Sequence, residues 1–319
     1  MPIKKPNELD FSNKKYEIII AGLPGLGKST LAQSAPRPLL VDLDKGIDRV
    51  DAEFRKDTLS VATYQDLLSE LKSDDLSMYD TIIIDTGGVL VDYMKDYAIA
   101  DNPKNAKNDG TLALCGYGYV NKLFNDFHTL LKSLNKNIVW CFHAKEVSED
   151  DILKLRLDVE GKTKDTIWRS VDIGGFIEMK GKDRLLTFCP CQKFYAKQTH
   201  GVADSYILPD IHSTHKNTFL ADLINHITNT LNNEVKSASK DKEEYEYTMN
   251  ELRPRIEKAQ NEDDINDLLF TFKNTKFVLT SEVELKALFS KKIKDLNLKY
   301  NKELGAYEKS IPDNANTSK

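Results

Sequence analysis

Residues 22–30 read Gly22-Leu23-Pro24-Gly25-Leu26-Gly27-Lys28-Ser29-Thr30. The apolar run Ile18-Ile19-Ile20 stands just before this stretch, and Pro36 and Pro38 close the short helix that it opens. The spacing Gly-x-x-x-x-Gly-Lys-Ser needs that strand–loop–helix setting, because the backbone N–H groups of the loop must turn together toward one ligand. Such a loop cradles phosphate. Lys28 would bridge the β- and γ-phosphates of a nucleotide, and the Ser29 hydroxyl would ligate Mg²⁺. A glycine-rich turn without a ligand is the alternative, and the flanking strand and helix argue against it.

Working outward, Thr81-Ile-Ile-Ile-Asp85 is apolar on both faces and ends in an acid. This is how a buried parallel strand reads. Asp85 at its C-terminal end could hold Mg²⁺ through water, or it could merely cap a turn. Leu40-Val-Asp42-Leu-Asp44 ends the strand that follows the phosphate-loop helix. A carboxylate there could orient or deprotonate the attacking water, Asp44 before Asp42, unless both are turn acids. Ile138-Val-Trp-Cys-Phe142-His143 carries a histidine at the tip of another apolar strand. His143 could sense the γ-phosphate, or be satisfied by nearby backbone.

Strands at Tyr16–Ala21, Leu39–Asp42, Thr81–Asp85 and Ile138–Phe142 alternate with helices at Tyr64–Lys72 and 116–135. That pattern predicts an α/β domain with a mainly parallel sheet and right-handed crossovers. Short strands of a meander follow at Gly174–Met179, Leu185–Phe188 and Gln192–Lys197, and a helix around Thr218–Leu231 closes the domain. The predicted organisation is an arm over 1–14, the α/β domain over 15–231, a linker over 232–245, a small helical segment over 246–305 and a disordered tail over 306–319. Ser281-Glu-Val-Glu284 reads as a capping box for the last helix.

The chain has 319 residues and a net charge of −5. Steering of a polyanion by overall charge is thereby excluded, so nucleic acid would have to meet local patches. Cys189-Pro-Cys191 is too tight for an ordinary metal pair, with His200 the nearest further ligand type, so the four cysteines read as structural or incidental. No run of 18 apolar residues occurs, which leads us to expect a soluble, cytoplasmic protein without membrane contact.

Taken together, the four strand-end elements resemble the RecA-like branch of P-loop ATPases, over roughly residues 15–230. The resemblance implies a RecA-like core with ATP and Mg²⁺ as ligands. Asp42-Leu-Asp44 looks like the catalytic acid pair with Asp in place of the usual Glu, Asp85 like the Walker B acid, and His143 like the γ-phosphate sensor. The Gly22–Thr30 loop, Val41-Asp-Leu-Asp-Lys-Gly46 and His143-Ala-Lys-Glu146 are similar to phage-encoded nucleotide-binding proteins of the AAA/RecA type. Those include small recombinases that work with single-strand annealing systems.

That likeness implies a homo-oligomer acting with single-stranded DNA, together with phage recombination or single-strand-binding proteins. Its DNA loops would be residues 97–118, with Lys104, Lys107, Tyr117 and Tyr119, and residues 145–166, with Lys145, Lys154, Arg156, Lys162 and Lys164. Glu146, Glu149, Asp150, Asp151, Asp158 and Glu160 share the second loop, so solvated charged loops are the alternative. The likeness also places Lys197 as a finger reaching a neighbouring subunit's site, against the plainer reading of a surface lysine. Two other functions stay open. One is a nucleotide-gated interaction module working through the C-terminal helices. The other is a small-molecule kinase, for whose lid only Arg169 and Arg184 lie suitably downstream. The absence of an Asn-Lys-x-Asp signature favours adenine over guanine.

Overall fold

A computed structural model describes residues 3–73, 75–149, 152–160, 163–199 and 201–309. Asp150, Asp151, Lys162, His200 and positions 310–319 of the expected tail lie outside the described residues. The chain forms two compact units: Phe11–Leu231, and the described residues of Met1–Asp10 and Asn232–Lys319. Among the described residues no helix is long and apolar enough to cross a membrane.

The larger unit is built on a twisted sheet of nine strands among the described residues. Six of them run parallel, in the order β3 (Thr58–Leu59), β2 (Pro38–Asp42), β4 (Thr81–Asp85), β5 (Asn137–Glu149), β1 (Glu17–Gly22) and β7 (Ile173–Lys180). β8 (Asp183–Thr187) and β9 (Ser205–Ile207) extend the β7 edge antiparallel, and β6 (Ile152–Leu157) folds back on β5. The α/β fold expected from the sequence is therefore the fold observed.

Both faces of the sheet are covered, which explains why its strands are apolar without alternation. Ile19, Ala21, Ile82, Ile84 and Trp140 face one core. That core is closed by α2 (Tyr64–Ser73), α3 (Gly87–Asp101), α4 (Gly116–Ser133) and α5 (Thr163–Ser170). Ile18, Ile20, Leu40, Ile83 and Val139 face the other, under α1 (Lys28–Ala32) and the first turns of α7 (Phe219–Lys258). α4 buries Val120, Leu123, Phe124, Phe127 and Leu131, the helical spacing visible in the sequence.

Several expectations are corrected. Residues 145–166 are not one loop: β5 runs on to Glu149, pairs with β6 as a hairpin, and α5 begins at Thr163. Beyond Ala144 β5 is largely exposed and charged, which hides the strand, although Leu155 and Leu157 of β6 are buried in the core. Gln192–Lys197 is not a strand. Lys197 makes an isolated bridge to Gly174, past the point where β8 ends at Thr187. The third strand of that meander is β9 instead.

Residues 232–245, expected as a linker, are helical within α7. Lys240–Glu244 and Lys242–Glu246, each 3.8 Å apart, sit four residues apart on its surface and stabilise a helix that needs no apolar stripe there. The smaller unit contains α8 (Glu262–Asn274) and α9 (Ser281–Asp295) around Ile265, Leu268, Leu285 and Phe289. It is not wholly helical: β10 (Leu298–Asn301), which takes up Tyr300, pairs with β11 (Ala306–Lys309), where the tail was expected to start. The capping box also shifts. Ser281 lies inside α9 and donates to the Val278 carbonyl, while Thr280 at the N-cap donates to Glu284 at 2.6 Å.

Candidate functional site

Strand register assembles the site at the C-terminal end of the parallel sheet. Asp42, Asp85, Cys141 and Ile20 are mutually paired across β2, β4, β5 and β1. Two residues further, His143 is level with Gly22, where the phosphate loop begins. β5 therefore separates the Asp85 strand from the loop strand, and this spacing leaves room above Cys141 for a ligand between Asp85 and the loop.

Within the loop, Gly25 and Gly27 adopt φ of 81° and 79°, the left-handed region that favours glycine and turns successive N–H groups inward. Lys28 is buried, and its Nζ donates to the Leu23 carbonyl at 3.0 Å across the loop. Burial pulls its ammonium below the ordinary lysine value, and the Asp85 and Asp44 carboxylates work against that.

Asp85 is buried, at 3% exposure. Burial pushes its carboxyl up to about 6, the Ser29 hydroxyl hydrogen bond opposes this, and the nearby Asp44 and Asp42 charges add to it. A buried acid beside a hydroxyl, crowded by two further carboxylates and faced by one lysine, is short of positive charge. Mg²⁺ fits that deficit and that oxygen-rich donor set, with Ser29 and Asp85 as the residues to hold it.

The two acids after β2 have different surroundings. Asp42 accepts from the Gly46 N–H at 2.9 Å and the Ile47 N–H at 3.2 Å, so both of its oxygens hold the following turn. Asp44 is half-buried and faces the site, its Oδ2 3.9 Å from His143 Nε2 and 3.8 Å from Arg49 Nη1. These are ion-pair separations, longer than hydrogen bonds. His143, and after it Arg49, keep the Asp44 carboxyl below the usual range against partial burial. Asp44 is thus a carboxylate at neutral pH. His143 Nδ1 is buried without a hydrogen-bond partner among the described residues.

Lys197 lies elsewhere within its own chain. It is bridged to Gly174, three positions before Ile177, which is level with Gly22, and its Nζ donates to the Arg169 carbonyl at 3.2 Å. In the segments expected as DNA loops, Lys145 pairs with Asp158 at 3.0 Å, and Lys154 and Arg156 both reach Glu149, at 3.2 and 2.7 Å. Tyr119 donates to Asp101, whereas Lys104, Lys107 and Lys164 are exposed.

One residue at the site was raised by the sequence only as a possible kinase-lid arginine. Arg184 comes back on β8 so close to the phosphate loop that a Cβ on Gly27 would lie 2.5 Å from its Nη1. Its place depends on the antiparallel return of β8, which no spacing around the loop announces.

Sheet order, phosphate loop and strand-end acids define a P-loop nucleotide-binding domain of the ATPase type. The chain belongs to the AAA domain family AAA_24, which matches residues 14–200. No curated protein is significantly similar to it. Among solved structures it is similar to a KaiC-like protein from the hyperthermophilic archaeon Pyrococcus horikoshii OT3, at 11% identity and a TM-score of 0.34, over 54% of this chain and 77% of that one. It is also similar to the flagellar accessory protein FlaH from Methanocaldococcus jannaschii, at 14% identity and a TM-score of 0.32, over 54% of this chain and 76% of that one. At these identities and scores nothing about this chain's activity follows from them.

Proposed function

We propose that this domain is a Mg²⁺-dependent ATPase whose turnover is stimulated by single-stranded DNA. The observation that carries the reading is the convergence of Lys28, Ser29, Asp85, Asp44 and His143 at one end of the sheet, from separate strands and loops. Bound Mg²⁺ would supply the positive charge that the Asp85 pocket lacks and neutralise phosphate charge. Lys28, freed from the Leu23 carbonyl, would bridge the β- and γ-phosphates. Asp44, ionised and half-exposed, would accept a hydrogen bond from the attacking water and hold it in line. Its depressed pKa suits orientation better than strong proton abstraction. His143 would donate to the γ-phosphate and, through its contact with Asp44, report its loss.

The DNA part of the proposal rests on the exposed Lys104, Lys107 and Leu114 in the segment between α3 and α4, and on the exposed Tyr117 in the first turn of α4. Lysines for phosphates beside exposed apolar and aromatic side chains are what single-strand binding uses. The β5–β6 hairpin contributes less, since Glu149 and Asp158 already occupy its cations.

The test is ATP turnover titrated with single-stranded DNA, double-stranded DNA and no DNA. Stimulation by the single strand should be lost on charge removal at Lys104 and Lys107, with a flatter salt dependence of binding. Turnover indifferent to DNA, and no DNA binding at low salt with ATP present, would leave an ATPase without a DNA role.

A further inference from the structure

A second cavity in the same unit, about 470 Å³ in volume, lies between the end of β9, the turn after it and the first turns of α7. Its size is within the ordinary range of small-molecule pockets. Tyr206, Pro209, Phe219 and Leu223 give it apolar walls, and Asp222 and His226 stand among them. The Tyr206 ring is fixed edge-on against Phe188 and Phe219, with centroids 6.0 and 5.6 Å away, and its hydroxyl accepts from the Ala203 N–H.

Two links tie this cavity to the phosphate loop. Asn217, in the turn that leads into α7, donates to the carbonyl of Thr30, the last residue of the loop motif, at 2.8 Å. Arg184 stands against Gly27 on one side, and on the other its Nη2 donates to the carbonyl of Pro209 at 3.3 Å. Pro209, which lines the cavity, and Asn217, beside the lining residues Lys216 and Thr218, are thus each one contact away from the phosphate loop.

We infer that this cavity receives the purine base of the nucleotide whose phosphates the Gly22–Thr30 loop holds. The inference rests on the phosphate-site reading above. Fixed aromatic rings offer a flat heterocycle a stacking surface at little entropic cost, and Asp222 offers an acceptor to an exocyclic amine such as adenine carries. Thr218 already donates to Asp222 at 2.9 Å, which orients that carboxylate.

The test is calorimetric titration of the full chain with MgATP, MgGTP and Mg-triphosphate, the last having phosphates but no base. Tyr206→Ala should weaken MgATP binding by roughly 5- to 100-fold, the cost of losing an aromatic stacking partner, and leave triphosphate binding unchanged. Asp222→Ala, at an exposed helix position where folding is not at stake, should weaken MgATP more than MgGTP if the amine contact is to adenine, again sparing triphosphate. MgATP binding at wild-type strength in both variants would overturn the inference, since the base would then lie elsewhere. Equal losses of MgATP and triphosphate, in variants whose thermal unfolding is normal, would overturn it as well. A wild-type protein that binds triphosphate but gains nothing from the base refutes the cavity alone. One that binds neither refutes the phosphate site first.

Discussion

Replacing Asp85 by Asn should make the nucleotide-free protein more stable while destroying its activity. The carboxyl is pushed up to about 6 from the usual 3.8. The folded-state value lies above the unfolded one, so ionisation opposes folding, and stability is lost as pH rises from about 3.8 to about 6. At roughly 1.4 kcal/mol per pH unit this amounts to about 3 kcal/mol at pH 8 and about half of that at pH 5. Asn has the same shape, can still accept from Ser29 and carries no charge. Allowing for relaxation around the charged form, the gain should be about 1–3 kcal/mol, or roughly 3–10 °C in the unfolding temperature of a domain this size. The assay is thermal unfolding in EDTA at pH 8 and pH 5, paired with phosphate release in Mg²⁺. A variant that is unchanged or less stable at pH 8, or whose gain at pH 5 is as large, would refute the claim that Asp85 is a buried carboxylate lacking a cation.

Further outcomes follow from the same site. Lys28→Ala should weaken MgATP binding and abolish turnover, measured by equilibrium binding and phosphate release, because the loop loses its lysine. Asp42→Ala should cost about 1–3 kcal/mol in denaturant unfolding, since the buried Gly46 N–H and the part-buried Ile47 N–H lose their acceptor. The Mg²⁺ concentration for half-maximal activity should rise as pH falls through about 6, where protons compete for Asp85. If Lys197 completes a neighbouring subunit's site, mixing inactive Lys28→Ala with inactive Lys197→Ala should restore partial turnover, and specific activity should rise steeply with protein concentration. No recovery on mixing would make Lys197 an ordinary surface lysine.

The core of the fold was legible because its signals are local. Ile82–Ile84 and Ile18–Ile20 are apolar on both faces, and only strands covered on both sides need that. The phosphate loop was legible because its chemistry demands a fixed spacing of glycines, lysine and hydroxyl. Helix α3 was not, because Gly87 and Gly88 at its start disguise a helix that buries Leu90, Val91, Met94 and Ala98. The helical stretch over 232–245 was not, because surface pairs rather than an apolar stripe support it. At the site, the sequence placed Asp44 before Asp42 but could not show what Asp42 does: Asp42 ends β2, and only the hydrogen bonds it accepts from Gly46 and Ile47 show that it holds the following turn. Arg184 and the Tyr206 cavity come from β8, which returns in a hairpin on β7, and β9, which pairs with β8; these pairings leave no trace near the loop.

The central claim is that the acids at the end of this sheet turn bound ATP over with Mg²⁺. The most direct test is steady-state phosphate release by wild-type and Asp44→Asn protein, with and without EDTA, beside a measurement of ATP binding to each. The predicted result is Mg²⁺-dependent release by the wild type, and near-normal binding with release slowed by roughly 10²-fold or more in Asp44→Asn. Release by Asp44→Asn at the wild-type rate, or a wild type that binds ATP and never hydrolyses it, would contradict the account.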